Sequence, residues 1–91
     1  MASVSVPTEA AILLRVIEPE RGNWSHAAAE AILKFRFPAP DIERMNLLTA
    51  KASAGDVSPD EQAELESYLR VGRWLDLLHS KARLSLKTAA G

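Results

Sequence analysis

Between Pro59 and the terminal Gly91 the chain has no proline, and Gly72 is its only glycine. The stretch opens with "SPDEQAELESYLRVG". Ser58 stands where an N-cap belongs, Pro59 at the first helical position and Glu61 at the third, which together make a capping box with proline at its favoured site. Asp60, Glu61, Glu64 and Glu66 lie near the positive end of the helix dipole, and Arg70, Arg73, Lys81, Arg83 and Lys87 dominate the other end. These cues predict one helix from about Ser58 to Leu86, roughly 40 Å long. Whatever else the chain forms has to pack on that rod.

Shorter helical patterns precede it. In "PTEAAILLRVI", Thr8 is a cap and Ile12, Leu13, Val16 and Ile17 recur at helical spacing. Pro19 disfavours helix at Glu18, and Gly22 with Asn23 suits a turn. "WSHAAAEAILKFRF" restarts with Ser25 as cap and Trp24 as a staple back onto the first turns. Ile32, Leu33 and Phe35 are the expected buried residues, and Pro38 predicts an end near Phe37. In "PAPDIERMNLLTAKASAG" the buried stripe is Ile42, Met45, Leu48 and Ala52, with Gly55 placed for a left-handed C-terminal residue. The reading is a single all-α domain over residues 1–91: three short helices on one long C-terminal helix, with 1–7 a loose lead and 88–91 a loose tail.

The long helix carries two apolar stripes. One is Leu65, Leu69, Gly72, Leu75, Leu78 or His79, Ala82 and Leu86, at the alternating steps of three and four that mark a coiled-coil seam. The other is Val71, Trp74, Leu77 and Leu84. A helix apolar nearly all round is expected to be buried nearly all round, which points to a partner surface comprising Leu69, Gly72, Arg73, Trp74, Leu75, Leu77, Leu78, His79, Ala82 and Leu86. Three arrangements satisfy it: a monomeric bundle, a homodimer through the long helix, and a complex with a different protein. A glycine inside an exposed helix costs about 1 kcal/mol relative to alanine. Gly72 is therefore expected at a close helix contact, facing the second helix or a second copy.

Ninety-one residues suit one domain, and a net charge of −1 supplies no overall attraction to nucleic acid or an anionic membrane. The chain has no cysteine, which excludes disulfides, thiolate zinc sites and cysteine nucleophiles and is compatible with a cytoplasmic location. The N-terminal "MASVSVPTEAAILLRVIEPE" lacks a basic n-region and its apolar run is broken by Arg15 and Glu18, so it reads as neither a signal peptide nor a spanning helix.

Groups capable of chemistry are sparse. His26 and Glu30 share a helix face, but a metal needs three or more ligands and there are only two histidines. Asp76, His79 and Ser80 are the residue types of a hydrolase triad. His79 and Ser80 diverge by about 100° on a helix, however, which keeps a nucleophile from its base. From Ser67 onward five cations face Asp76 alone, but they do not gather on one stripe as phosphate binding requires. They read as a dipole complement on a solvated face. Glycine-rich phosphate loops are absent. No cofactor, metal or small-molecule substrate is expected.

Three phrases carry a resemblance: Phe37-Pro38 before an acidic residue, "RMNLLTAKASAG" from Arg44 to Gly55, and the final "ELESYLRVGRWLDLLHSKARLSLK" from Glu64 to Lys87. Together, over about Ala28 to Lys87, they resemble a family of short uncharacterised bacterial proteins. The resemblance implies a small helical protein without enzymatic activity. It also implies genes beside a nuclease of the HNH type, which suits an antitoxin, immunity or adaptor role. The expected function is non-catalytic protein binding as an adaptor, antitoxin-like partner or homodimer. The alternative is nucleic-acid binding through the basic half of the long helix.

Overall fold

The computed structural model of the chain describes residues 8–90, with side chains through Thr88. The expected loose lead over 1–7 and the final Gly91 lie outside the described residues. Four helices follow one another: α1 (Glu9–Ile17), α2 (His26–Leu33), α3 (Ala39–Ser53) and α4 (Pro59–Ala90). The fold is all-α, three short helices packing against one long C-terminal helix. Two compact units divide it, one made of Met1–Leu33 with Leu78–Gly91 and the other of Lys34–Leu77.

The continuous unit, Lys34–Leu77, pairs α3 with the first part of α4. Ser58 accepts through Oγ from the Glu61 N–H (3.1 Å), while Glu61 accepts through Oε1 from the Ser58 N–H (3.0 Å). The capping box is thus closed in both directions. Gly55 takes φ 70° and Asp56 donates back to the Lys51 carbonyl (2.8 Å), the closure of a Schellman end. Leu48 is wholly buried and Leu65 nearly so. Burial of one leucine contributes about 1.5–3 kcal/mol. Ion pairs flank this small core, Arg44 to Glu64 and Lys51 to Glu61.

The discontinuous unit brings α1 and α2 to the end of α4. Thr8 caps α1 through a bond from the Ala11 N–H (3.1 Å), and Ser25 caps α2 through one from Ala28 (3.1 Å). Glu18 closes α1 in the left-handed region at φ 50°, a conformation that costs a non-glycine residue about 1 kcal/mol or more. Lys81, only 2% exposed, donates from Nζ to the carbonyls of Ile17 and Glu18 and lies 4.8 Å from the centroid of the Trp24 ring. Next to it the buried Ser85 accepts from the Trp24 N–H (3.2 Å), and Thr88 donates to the Gly22 carbonyl (2.9 Å). Residues 17–24 are thus held on α4 largely by their own backbone polar groups.

Several expectations are corrected. α2 stops at Leu33 rather than near Phe37; the chain beyond is non-helical, and Phe37 meets Tyr68 edge to face with centroids 5.9 Å apart. Phe35 is half exposed and the buried residue of α2 is Ala29, whose small side chain permits the closest approach. Trp24 also meets α4, its ring beneath Lys81 Nζ and its backbone N–H donated to Ser85 Oγ. α4 runs through Ala90, beyond the expected end at Leu86, so residues 88–90 are helix and not tail. Ile12, Leu13 and Val16 are exposed, and none of α1 is buried.

Within the chain the close backbone contact falls at Gly22, and the expected contact of Gly72 with the second helix is not made. Among the described residues a Cβ at Gly72 would meet only Phe37 Cε2, at 4.0 Å. A Cβ at Gly22 would meet the Leu84 carbonyl oxygen at 2.8 Å and its carbon at 2.9 Å. Opposite effects are therefore expected from one substitution. Gly22→Ala forces residues 17–24 away from α4 and should cost about 1–3 kcal/mol. Gly72→Ala removes backbone freedom from the unfolded chain and should stabilise by up to about 1 kcal/mol. Denaturant unfolding of both variants checks the pair; equal signs would show that the two glycines are not distinguished by backbone approach.

Candidate protein-binding surface

The residues expected to bind a partner divide between the two units. In the continuous unit Leu69 is 51% exposed, Arg73 is exposed, and Gly72, Trp74, Leu75 and Leu77 are half-buried. In the discontinuous unit Leu78, His79 and Leu86 are half-buried, while Ala82 is wholly buried within the chain. Ala82 is therefore spent on internal packing and presents nothing to a partner. The seam is followed at Leu65 and Ala82, but the two other buried residues of α4, Lys81 and Ser85, lie off it. Lys81 belongs to neither apolar stripe and by its sequence falls among the cations expected on a solvated face. A lysine is buried when its ammonium finds acceptors and its stem lies on apolar surface, and two helix-end carbonyls and an indole supply both.

Two surfaces escape a reading centred on α4. The first is the outer face of α1. Ile12, Leu13 and Val16 are on one side at spacings of one and four, all exposed, Val16 at 73%. Their helical spacing is visible in the sequence, which does not say what covers them. The second is a groove of about 250 Å³ in the continuous unit, lined by Phe37, Asp41, Glu64, Ser67, Tyr68 and Val71. Val71 is 48% exposed. Of these residues only Val71 stood in a predicted stripe, because the others come from a loop, from the first turn of α3 and from the polar side of α4.

The groove is electrostatically organised. Arg44 binds Glu64 in a fork, Nε to Oε2 at 2.8 Å and Nη2 to Oε1 at 2.7 Å. That pair holds the Glu64 carboxyl below the ordinary carboxylate range and raises the Arg44 guanidinium above its own. Tyr68 donates its hydroxyl to Asp41 Oδ1 at 2.7 Å, and this bond raises the phenol. One turn toward the start of α4, the bond from Lys51 and then the Ser58 N–H hold Glu61 at about 2, well below the ordinary 4.5.

Chemistry of other kinds gains little geometry. His26 Nε2 lies 3.4 Å from Glu30 Oε2 on the exposed side of α2. Among the described residues no three histidine, aspartate or glutamate side chains converge as a metal site. No helix among them is long and apolar enough to cross a membrane. The chain matches no protein-family model, and no match appears among the curated proteins or the solved structures.

The depressed carboxyls set an acid limit on stability. A carboxylate whose folded pKa lies below its unfolded value contributes fully above the unfolded value and loses that contribution as the pH falls toward the folded one. For Glu61 the window is from about 4.5 down to about 2, and Glu64, also depressed, acts in the same direction. Urea midpoints should therefore hold steady above pH 5 and decline steadily below 4.5. Lys51→Met should flatten part of that decline; an unchanged acid limb in the variant would show that Lys51 does not set it.

Proposed function

We propose that the chain is a non-catalytic protein-binding module, an adaptor or antitoxin-like partner, acting in the cytoplasm. The observation that supports this reading most is the outer face of α1. A nine-residue helix is too short to be stable alone in water, and it is held here by its C-terminal end. Yet Ile12, Leu13 and Val16 form a continuous apolar strip that faces solvent. Leu69 and Val71 on α4, and Ile42 and Leu47 on α3, add further half-exposed apolar side chains in the continuous unit. Scattered exposure of this kind is ordinary; a contiguous strip on one helix is the usual mark of an interaction surface.

The partner is a second copy or a different protein, and an HNH-type nuclease enters only through the family resemblance. Nucleic-acid binding is the less favoured alternative. Of its five cations Lys81 is withdrawn into the interior and Arg70 donates to Ser67. That leaves Arg70, Arg73, Arg83 and Lys87 as the exposed cations of the set.

Sedimentation and co-purification test the reading together. The wild-type chain should self-associate at micromolar concentration or retain a defined protein from its native cell. Val16→Lys should abolish that association while shifting folding stability by no more than about 0.5 kcal/mol, as expected of an exposed site. A strictly monomeric wild-type protein that retains nothing would end the proposal.

A further inference from the structure

We infer that the groove between the first turn of α3 and the early turns of α4 receives one arginine side chain from a partner protein, with its methylene stem on Phe37, Tyr68 and Val71 and its guanidinium at Asp41. The inference rests on the protein-binding reading and specifies one contact within it.

Size is the first ground. A volume of about 250 Å³ is below the roughly 300–1,000 Å³ of small-molecule sites and suits a single long side chain. The walls are the second ground. The two rings meet edge to face at 64° and give a methylene stem an apolar wall to lie along. Val71 completes an apolar bed for the stem, as long cationic side chains require when they lie along apolar surface.

Charge is the third ground. Two carboxylates, Asp41 and Glu64, line the groove. Glu64 is matched by both nitrogens of the Arg44 fork. Among the described residues Asp41 is paired with no cation, and it accepts a bond at Oδ1 from the neutral Tyr68 hydroxyl. It stands in the first turn of α3, at the positive end of that helix's dipole. The groove therefore carries one uncompensated negative charge at the edge of an apolar bed, the complement of a monocation on an aliphatic stem.

The test uses the whole chain and n-butylguanidinium as the stand-in for the side chain, followed by amide shifts in proton–nitrogen NMR spectra. Saturable shifts should appear at Asp41, Tyr68 and Val71. The neutral isostere n-butylurea should bind roughly tenfold more weakly, the difference between a charged and a neutral hydrogen-bond partner. Asp41→Asn preserves an acceptor for Tyr68 and removes the charge, and should bring the two probes level. Ser67→Leu fills the groove from an exposed position and should abolish both. Equal binding of the two probes to the wild type, or n-butylguanidinium binding undiminished in Asp41→Asn, would overturn the inference, as would the absence of any saturable shift. The titration needs no partner, so it fails or succeeds apart from the α1 test. Loss of groove binding with intact association leaves the module standing, and the reverse removes the module while the groove's preference survives.

Discussion

A buried ammonium governs the discontinuous unit. Lys81 has to be desolvated to reach its place, and a buried charge without partners costs several kcal/mol. Its partners are two carbonyls at the end of α1, those of Ile17 and of Glu18, which also accepts from the Arg21 N–H, together with the face of Trp24. The requirement runs both ways. The carbonyls at a helix end need donors, and the left-handed turn at Glu18 is tolerated where the next contacts over-determine it. Ser85, Thr88 and the bare Cα of Gly22 then follow from the same approach, since the chain after Glu18 lies close enough to α4 for its own amide and carbonyl groups to be taken up.

The continuous unit is organised by a different economy of polar groups. Glu61 closes the capping box with one oxygen and takes Lys51 with the other. One side chain thereby fixes where α4 begins and which part of α3 stands beside it. Arg44 and Glu64 repeat that pairing farther along α4. With Leu48 and Leu65 as the only large apolar side chains fully or nearly buried among the described residues, polar complementarity does much of the positioning.

Local chemistry was legible and burial was not. The caps at Thr8, Ser25 and Ser58, the stop before Pro19 and the left-handed Gly55 were readable because each is settled within a few residues of chain. The capping box in particular depends on nothing but a serine and a glutamate three apart. The burial of Lys81 depends on a helix end more than sixty residues away, which no window on the sequence contains. The same limit hides the tight glycine of the chain itself. Gly72 interrupts a visible seam and draws attention, whereas Gly22 sits in a turn that explains it adequately, and the atoms that forbid a side chain there belong to Leu84. The outer strip of α1 shows a related limit. Helical spacing identifies an apolar face but does not say whether anything in the same chain covers it. The groove was missed because its walls come from a loop and from two helices, and its key carboxylate looks in sequence like an ordinary first-turn acid.

The split of one unit around the other bears on the order of assembly. Contacts that close the continuous unit join residues 10, 20 and 27 positions apart. Those that close the discontinuous unit join residues 61 to 66 apart. Loop closure grows costlier with the logarithm of that separation, by about 1 kcal/mol between a twenty-residue and a sixty-residue loop. Once α3 has docked on α4, the intervening chain is already compact, and residues 17–24 reach 81–88 across a far shorter effective loop. The clasp at Lys81 is thus a late event that inherits its affordability from an earlier one, a sequence that pulsed hydrogen exchange during refolding reads as protection of α3 ahead of the amides of Trp24 and Ala29.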